Sequence, residues 1–158
     1  MKNKFEEPEA LNRVGDFHHL FNMPVLEDPQ IPPMERCNLR ISLLAEELRE
    51  LEEGIEKKNI IEIADALCDL QYVLSGAILE FGLGSKFKAL FDEVQRSNMS
   101  KACATLEEAI ATQEKYAHEK QVESEIIIKD GKFLVYRKED GKVLKSVHYS
   151  PANLEKLL

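Results

Sequence analysis

The chain has 158 residues, with 44% apolar and 32% charged side chains. That composition suits one ordinary globular domain and excludes a disordered chain. Acids outnumber bases 29 to 21, a formal charge of -8, which argues against a protein that coats a nucleic-acid polymer. The start, Met1 to Ala10, is acidic and lacks the apolar centre of a signal peptide. Residues 8 to 22 favour a helix with Phe17, Leu20 and Phe21 on one face. Four prolines in Met23 to Pro33 then forbid a regular helix and predict an extended crossover along the outside of a bundle. A long helix is expected from Met34 to Lys57. A second runs from Asn59 to Phe81 and is closed by Gly82 and Gly84. Ser85 is placed to cap a third, through Phe87, Leu90, Phe91 and Val94. Thr105 to Glu108 has capping-box spacing and starts a further helix to about Lys120.

The pattern then changes to strands. Glu125–Lys129, Lys132–Arg137 and Lys142–Lys145 are separated by Asp130-Gly131 and Asp140-Gly141, which is hairpin chemistry. A three-stranded meander is expected, followed by a short helix with Pro151 at its first position. Cys37, Cys68 and Cys103 are odd in number and lack metal-ligand spacing, so they read as free thiols. No apolar run is long enough to span a bilayer. A cytoplasmic protein without a membrane segment is the expectation.

Two acidic groups do not fit an ordinary solvated face. At 100° per residue, Glu47 falls roughly 40° from Leu43, between Leu43 and Leu51 on the apolar side. Glu50 lies at the edge of the same face, with Glu46 one step beyond. On the next helix Glu62, Asp65 and Asp69 share a narrow stripe, and no Lys or Arg occurs between Lys58 and Lys86. The plain alternative is that Glu62, Asp65, Asp69 and Glu80 form a solvent face. Acids on two consecutive helices favour a different reading, because antiparallel packing brings both groups together. Converging carboxylates repel and require a cation, and all-oxygen donors favour Mg²⁺ or Mn²⁺. The second helix is also apolar on nearly every side, which places it centrally in its assembly and predicts a homodimer.

Glu46-Glu47-Leu-Arg-Glu50 followed by Glu62-Ile-Ala-Asp65 resembles the ExxE and ExxD pair of the MazG-like all-α nucleotide pyrophosphohydrolases. These include dimeric dUTPases and phosphoribosyl-ATP pyrophosphohydrolase. Asp65-Ala-Leu-Cys-Asp69-Leu-Gln-Tyr-Val73 with Gly76 is similar to the second metal helix of that branch. Asn98-Met-Ser-Lys101 is similar to its Asn-x-Ser-Lys segment. Asp140-Gly-Lys142-Val-Leu-Lys145 before Pro151 resembles its C-terminal phosphate-side segment. The resemblance covers residues 12 to 101 and 140 to 158. Residues 103 to 139 look like an insertion to which no function is carried.

The resemblance implies a mainly α fold, a helical bundle whose four-helix core is completed in a homodimer, with a small C-terminal β meander. The domain expected is single, 1–158, with a helical core over about 8–101. The implied activity is metal-dependent hydrolysis of a nucleoside triphosphate, a dNTP such as dUTP, to the monophosphate and pyrophosphate. Phosphoribosyl-ATP hydrolysis is the alternative among enzymes. A non-catalytic dimeric helical regulator is the alternative outside them. The implied metal ligands are Glu47, Glu50, Asp65, Asp69 and Glu62. The family stripe needs two acids where this helix offers three. Alignment on the Tyr72-Val73 text selects Asp69, and alignment on ExxD selects Glu62 and Asp65. Glu46 and Glu47 are the catalytic candidates, with Glu46 as base and Glu47 as ligand. Asn98, Lys101, Lys145 and Arg40 are expected to bind sugar or phosphate, and Phe17 and His18 a base. Arg40 is alternatively a structural partner of the acid cluster.

Overall fold

A computed structural model describes residues 5–158, so the first four residues of the acidic start lie outside it. Five helices account for most of the regular structure, followed by one small antiparallel sheet. The fold is mainly α. It divides into two compact units, Met1–Phe87 and Lys88–Leu158.

The first unit holds α1 (Ala10–Leu20), α2 (Met34–Glu56) and α3 (Ile60–Glu80). Asn59 caps α3, its side-chain oxygen accepting from Ile61 N at 3.1 Å. The link between α2 and α3 is short, so the two helices pack antiparallel. Gly54 makes that packing close: a Cβ there would sit 3.1 Å from Ile63 N. In sequence Gly54 reads only as a weak helix former, whereas in the fold its missing side chain is required.

The proline segment runs as an extended crossover held against the end of α3. Leu26 N donates to Leu79 O at 3.0 Å and Gln30 N to Phe81 O at 3.1 Å. At the other end of the crossover His18 Nδ1 donates to Pro24 O at 2.8 Å. Its prolines leave few backbone donors, and the remaining ones find carbonyls of the helix end.

The second unit holds α4 (Phe87–Met99), α5 (Leu106–Lys120), β1 (Ser124–Lys129) and β2 (Lys132–Arg137). Helix α4 starts two residues after Ser85, so Ser85 does not stand at its cap. Thr105 does cap α5, accepting from Glu108 N at 3.2 Å, while Glu108 accepts from Ala104 N at 2.7 Å. Asp130 and Gly131 join β1 to β2 with positive φ at both residues, the tight hairpin turn that matches strand twist.

The expected third strand is reduced to a single bridge between Tyr136 and Val143, with Leu144 N donating to Val135 O at 2.8 Å. Beyond Leu144 the chain leaves the sheet, because its next backbone donors turn to side chains. Lys145 N faces the Tyr116 hydroxyl at 3.3 Å, and Val147 N donates to Thr112 Oγ1 at 3.0 Å. Cys103 pairs with Phe133 on the same side of β2 as Val143. The core of this unit is Cys103, Ala109, Val135 and Leu144, packed by Tyr116, Val122, Ile126 and Phe133.

The expected terminal helix after Pro151 is absent, and that segment is extended with one late turn. It is bound to α4 instead. Arg96 Nη2 donates to Pro151 O at 3.0 Å, Ser150 N donates to Ser100 Oγ at 3.0 Å, and Asn153 N donates to Glu93 Oε1 at 2.8 Å. Glu93, Arg96, Ser97 and Ser100 share one helical face, so polar side chains satisfy backbone groups that a helix would have satisfied internally.

Candidate active site

Antiparallel packing of α2 and α3 brings the two acidic groups together within the first unit. Glu47 is partly buried, and among the described residues its Oε2 has no hydrogen-bond partner. Burial raises the Glu47 carboxyl above its ordinary value, and the charges of Glu50, Asp69, Glu46 and Asp65 add to the rise. Four acids therefore act on one orphaned carboxylate, two from its own helix and two from α3. A cavity of about 340 Å³ opens beside them, lined by Glu46, Glu50, Glu53, Glu62 and Asp65 with Arg49 and Lys57.

Glu62 differs from the other members of its stripe. It accepts from Asn59 Nδ2 at 2.9 Å and pairs with Lys57 Nζ at 3.4 Å. The cation missing from the sequence of α3 is thus supplied from the end of α2. Glu62 already has partners, whereas Glu47, Asp65 and Asp69 converge without a neutralising base in the interactions that shift Glu47.

Two observations test whether these residues suit a hard dication. The donors are all carboxylate oxygens, and one of them is buried with its hydrogen-bonding capacity unused. Both fit Mg²⁺ or Mn²⁺ chemically. Among the described residues, however, no three Asp, Glu, His or Cys side chains close into a ready-made metal centre.

His18 and Arg40 lie elsewhere in the same unit. Both are buried, at 1% and 5% exposure, together with Glu80 at 1%. Arg40 Nη2 bonds Glu80 Oε1 at 2.5 Å and His18 Nε2 at 3.1 Å. Arg36 also grips Glu80, through both carboxylate oxygens. Burial pushes the Glu80 carboxyl up, but the hydrogen bonds from Arg36 and Arg40 outweigh it and the net shift is downward. Gly76 makes room for this cluster, since a Cβ there would meet Arg40 Nη1 at 2.7 Å.

Neither Arg40 nor His18 lines the acidic cavity. Arg40 is a structural partner of Glu80 and not of the acidic cluster. Glu80 is correspondingly no part of a solvent face. Its signal in the sequence is indirect: arginines four apart on one helix, and a glycine one turn before the glutamate on the next. Phe17 is partly exposed and meets the Tyr72 ring edge-on at 5.6 Å. Tyr72 follows Asp69 by one helical turn, so the aromatic pair flanks the acidic stripe.

Asn98, Lys101 and Lys145 belong to the second unit and come together there. Lys101 Nζ donates to Asn98 Oδ1 at 2.8 Å. Lys145 Nζ lies 4.4 Å from the centre of the Tyr149 ring. The Tyr149 hydroxyl is 3.0 Å from Ser97 Oγ. That hydrogen bond lowers the Tyr149 hydroxyl from its ordinary value, partly opposed by burial and reinforced by the charges of Lys145, Lys101 and Arg96. Sequence reasoning did not single out Tyr149 or Ser97, because nothing in linear spacing connects residue 149 to the last turn of α4.

The sequence model of the phosphoribosyl-ATP pyrophosphohydrolase family matches residues 14–98, which is more than half of the chain. An uncharacterized protein of Acanthamoeba polyphaga mimivirus is 31% identical over 115 residues, covering 68% of this chain and 44% of the viral protein. The chain thus spans less than half the length of that curated relative. The match takes in α1, the proline crossover, both acidic helices and α4 as far as Asn98. The chain belongs to the phosphoribosyl-ATP pyrophosphohydrolase family, within the MazG-like all-α nucleotide pyrophosphohydrolases.

Proposed function

We propose that this protein is a divalent-metal-dependent nucleotide pyrophosphohydrolase that converts a nucleoside triphosphate to its monophosphate and pyrophosphate. The observation that carries the reading is the orphaned Glu47 oxygen, under the charge of Glu50 on its own helix and of Asp65 and Asp69 on α3. Family membership supports the reaction class. A deoxynucleotide such as dUTP is the proposed substrate. An acidic groove and a triphosphate repel one another, so the pair requires a cation.

Glu47, Glu50, Asp65 and Asp69 are the proposed holders of Mg²⁺ or Mn²⁺. Glu62 joins them only by releasing Lys57 and Asn59. An ion held there supplies charge neutralisation and polarises phosphoryl oxygens. Glu46, exposed at the cavity, orients the attacking water and takes its proton. Water adds at the α-phosphorus, the α–β anhydride bond breaks, and pyrophosphate leaves. Lys101 and Lys145 neutralise phosphate oxygens, and Asn98 hydrogen-bonds sugar or phosphate. An apolar cavity of about 380 Å³ beside Tyr72, lined by Val14, Leu67, Cys68 and Gln71 with Arg13 among them, is the proposed seat of the base. Phe17 supports it through Tyr72. His18, being buried, acts through the proline crossover it bonds.

A homodimer is part of this proposal. Ile60 and Ile61 of α3 are 73% and 77% exposed, and Leu67 and Leu74 of the same helix and Leu48 and Ile55 of α2 are also exposed. That much exposed apolar surface on two adjacent helices favours a partner helix pair.

Phosphoribosyl-ATP is the second substrate reading, favoured by the family whose sequence model matches. The test is pyrophosphate release from a panel of dNTPs, NTPs and phosphoribosyl-ATP with Mg²⁺, Mn²⁺ or EDTA. Metal-dependent release from one nucleotide class establishes both reaction and substrate. Release from phosphoribosyl-ATP alone selects the second reading. No release from any of them leaves a non-catalytic regulator as the function of this bundle.

A further inference from the structure

Lys145 is held unusually firmly for a lysine on an extended segment. Its backbone N–H faces the Tyr116 hydroxyl at 3.3 Å, from α5. Its ammonium rests over the Tyr149 ring, 4.4 Å from the ring centre. Tyr149 is itself fixed to α4 through Ser97, whose side chain is buried. The residues after Tyr149 are bound to the same α4 face by Arg96, Ser100 and Glu93. Lys101, one turn past Ser97, is anchored by Asn98. The charges of Lys145, Lys101 and Arg96 all act on the Tyr149 hydroxyl, and of the three Lys145 rests on the ring itself. Arg96 is engaged with Glu93, but among the described residues Lys101 and Lys145 have no carboxylate partner within ion-pair distance.

The face of an aromatic ring attracts a cation electrostatically. It restrains the ammonium while leaving its N–H donors free for another acceptor. A carboxylate in the same place would consume those donors and cancel the charge. Such a floor suits an ammonium whose acceptor arrives from outside the protein.

We infer that Tyr149 is a positioning residue for phosphate recognition: its ring holds the Lys145 ammonium, and its hydroxyl locks that arrangement through Ser97 to the end of α4 that carries Lys101, giving a preorganised site for the oxygens of a pyrophosphate group. The inference rests on the pyrophosphohydrolase reading for its biological ligand. The site itself is defined within the second unit.

The test uses inorganic pyrophosphate as probe, in the presence of Mg²⁺, with binding followed by calorimetry and product inhibition followed in the nucleotide assay. Tyr149→Leu is expected to weaken pyrophosphate binding about 2- to 5-fold and to raise KM by a similar factor, with kcat within about 2-fold of the parent. Tyr149→Phe keeps the ring and loses only the Ser97 bond, so its effect is smaller. In a double-mutant cycle, Tyr149→Leu adds little once Lys145→Ala is present, because the ring acts through that ammonium.

A merely structural tyrosine lowers thermal stability and leaves KM and pyrophosphate affinity unchanged, which overturns the inference. Fully additive effects of Tyr149→Leu and Lys145→Ala also overturn it, as does a parent protein that fails to bind pyrophosphate. Pyrophosphate binding that depends on Lys145 and Tyr149, in a protein that hydrolyses no nucleotide, sustains the site and rejects the enzymatic reading instead.

Discussion

Glu47 and Glu80 show how two carboxylates in one helical unit reach opposite solutions. Glu80 is buried and fully served by two guanidinium groups, so its charge is retained in the interior. Removing one partner of such an arrangement leaves the others uncompensated. Glu80→Ala is expected to cost about 3–5 kcal/mol, read from the midpoint of denaturant unfolding. Glu47 has no such partner and lies among four acids. Glu47→Gln removes one charge from that cluster. The metal-free variant should melt above the metal-free parent. It should lose the rise in melting temperature that Mg²⁺ gives the parent, and pyrophosphate release should fall at least 100-fold. An unchanged Mg²⁺ response in Glu47→Gln rejects Glu47 as a ligand.

Elements are joined in this protein by side chains that take over backbone hydrogen bonds. The crossover after α1 depends on His18 and on carbonyls at the end of α3. The C-terminal segment depends on α4, and Glu93 is its most strongly shifted member. Arg96 and the Asn153 amide hold the Glu93 carboxyl down at about 2. A depressed carboxyl stabilises the fold above its ordinary value near 4.5, and that contribution is lost as pH falls towards 2. Acidification over that window should therefore release the segment from α4. Hydrogen exchange at the Asn153 amide should accelerate between pH 4.5 and 2 more than the intrinsic pH dependence of exchange requires. Arg96→Ala should reproduce the acceleration at neutral pH. Asp140, held at about 2 by Arg137 and the Lys142 amide, titrates in the same direction.

At the scale of the whole molecule, the exposed apolar positions of α2 and α3 set the expected assembly. Leu74 lies roughly 140–180° around α3 from the Asp65–Asp69 stripe, so altering it leaves the acids in place. Leu74→Glu should convert a dimer to a monomer in light scattering, whereas a parent that is monomeric at every concentration rejects the homodimer.

Much of this organisation is legible in the chain alone. Helical periodicity placed α2 and α3 within a residue or two, because apolar spacing and caps act locally. The acidic stripe was readable for the same reason, as was the Asp130-Gly131 turn. Tertiary structure alone decided which acids are free. Lys57 reaches Glu62 across the α2–α3 link, and Arg36 and Arg40 reach Glu80 from 44 and 40 residues away in the sequence. It also decided that the tail after Pro151 stays extended, since bonds to α4 replace those of a helix. The physical reason is common to all of these. Burial, ion pairing and backbone satisfaction are settled by neighbours in space, and a local pattern fixes only which face of an element is offered to them.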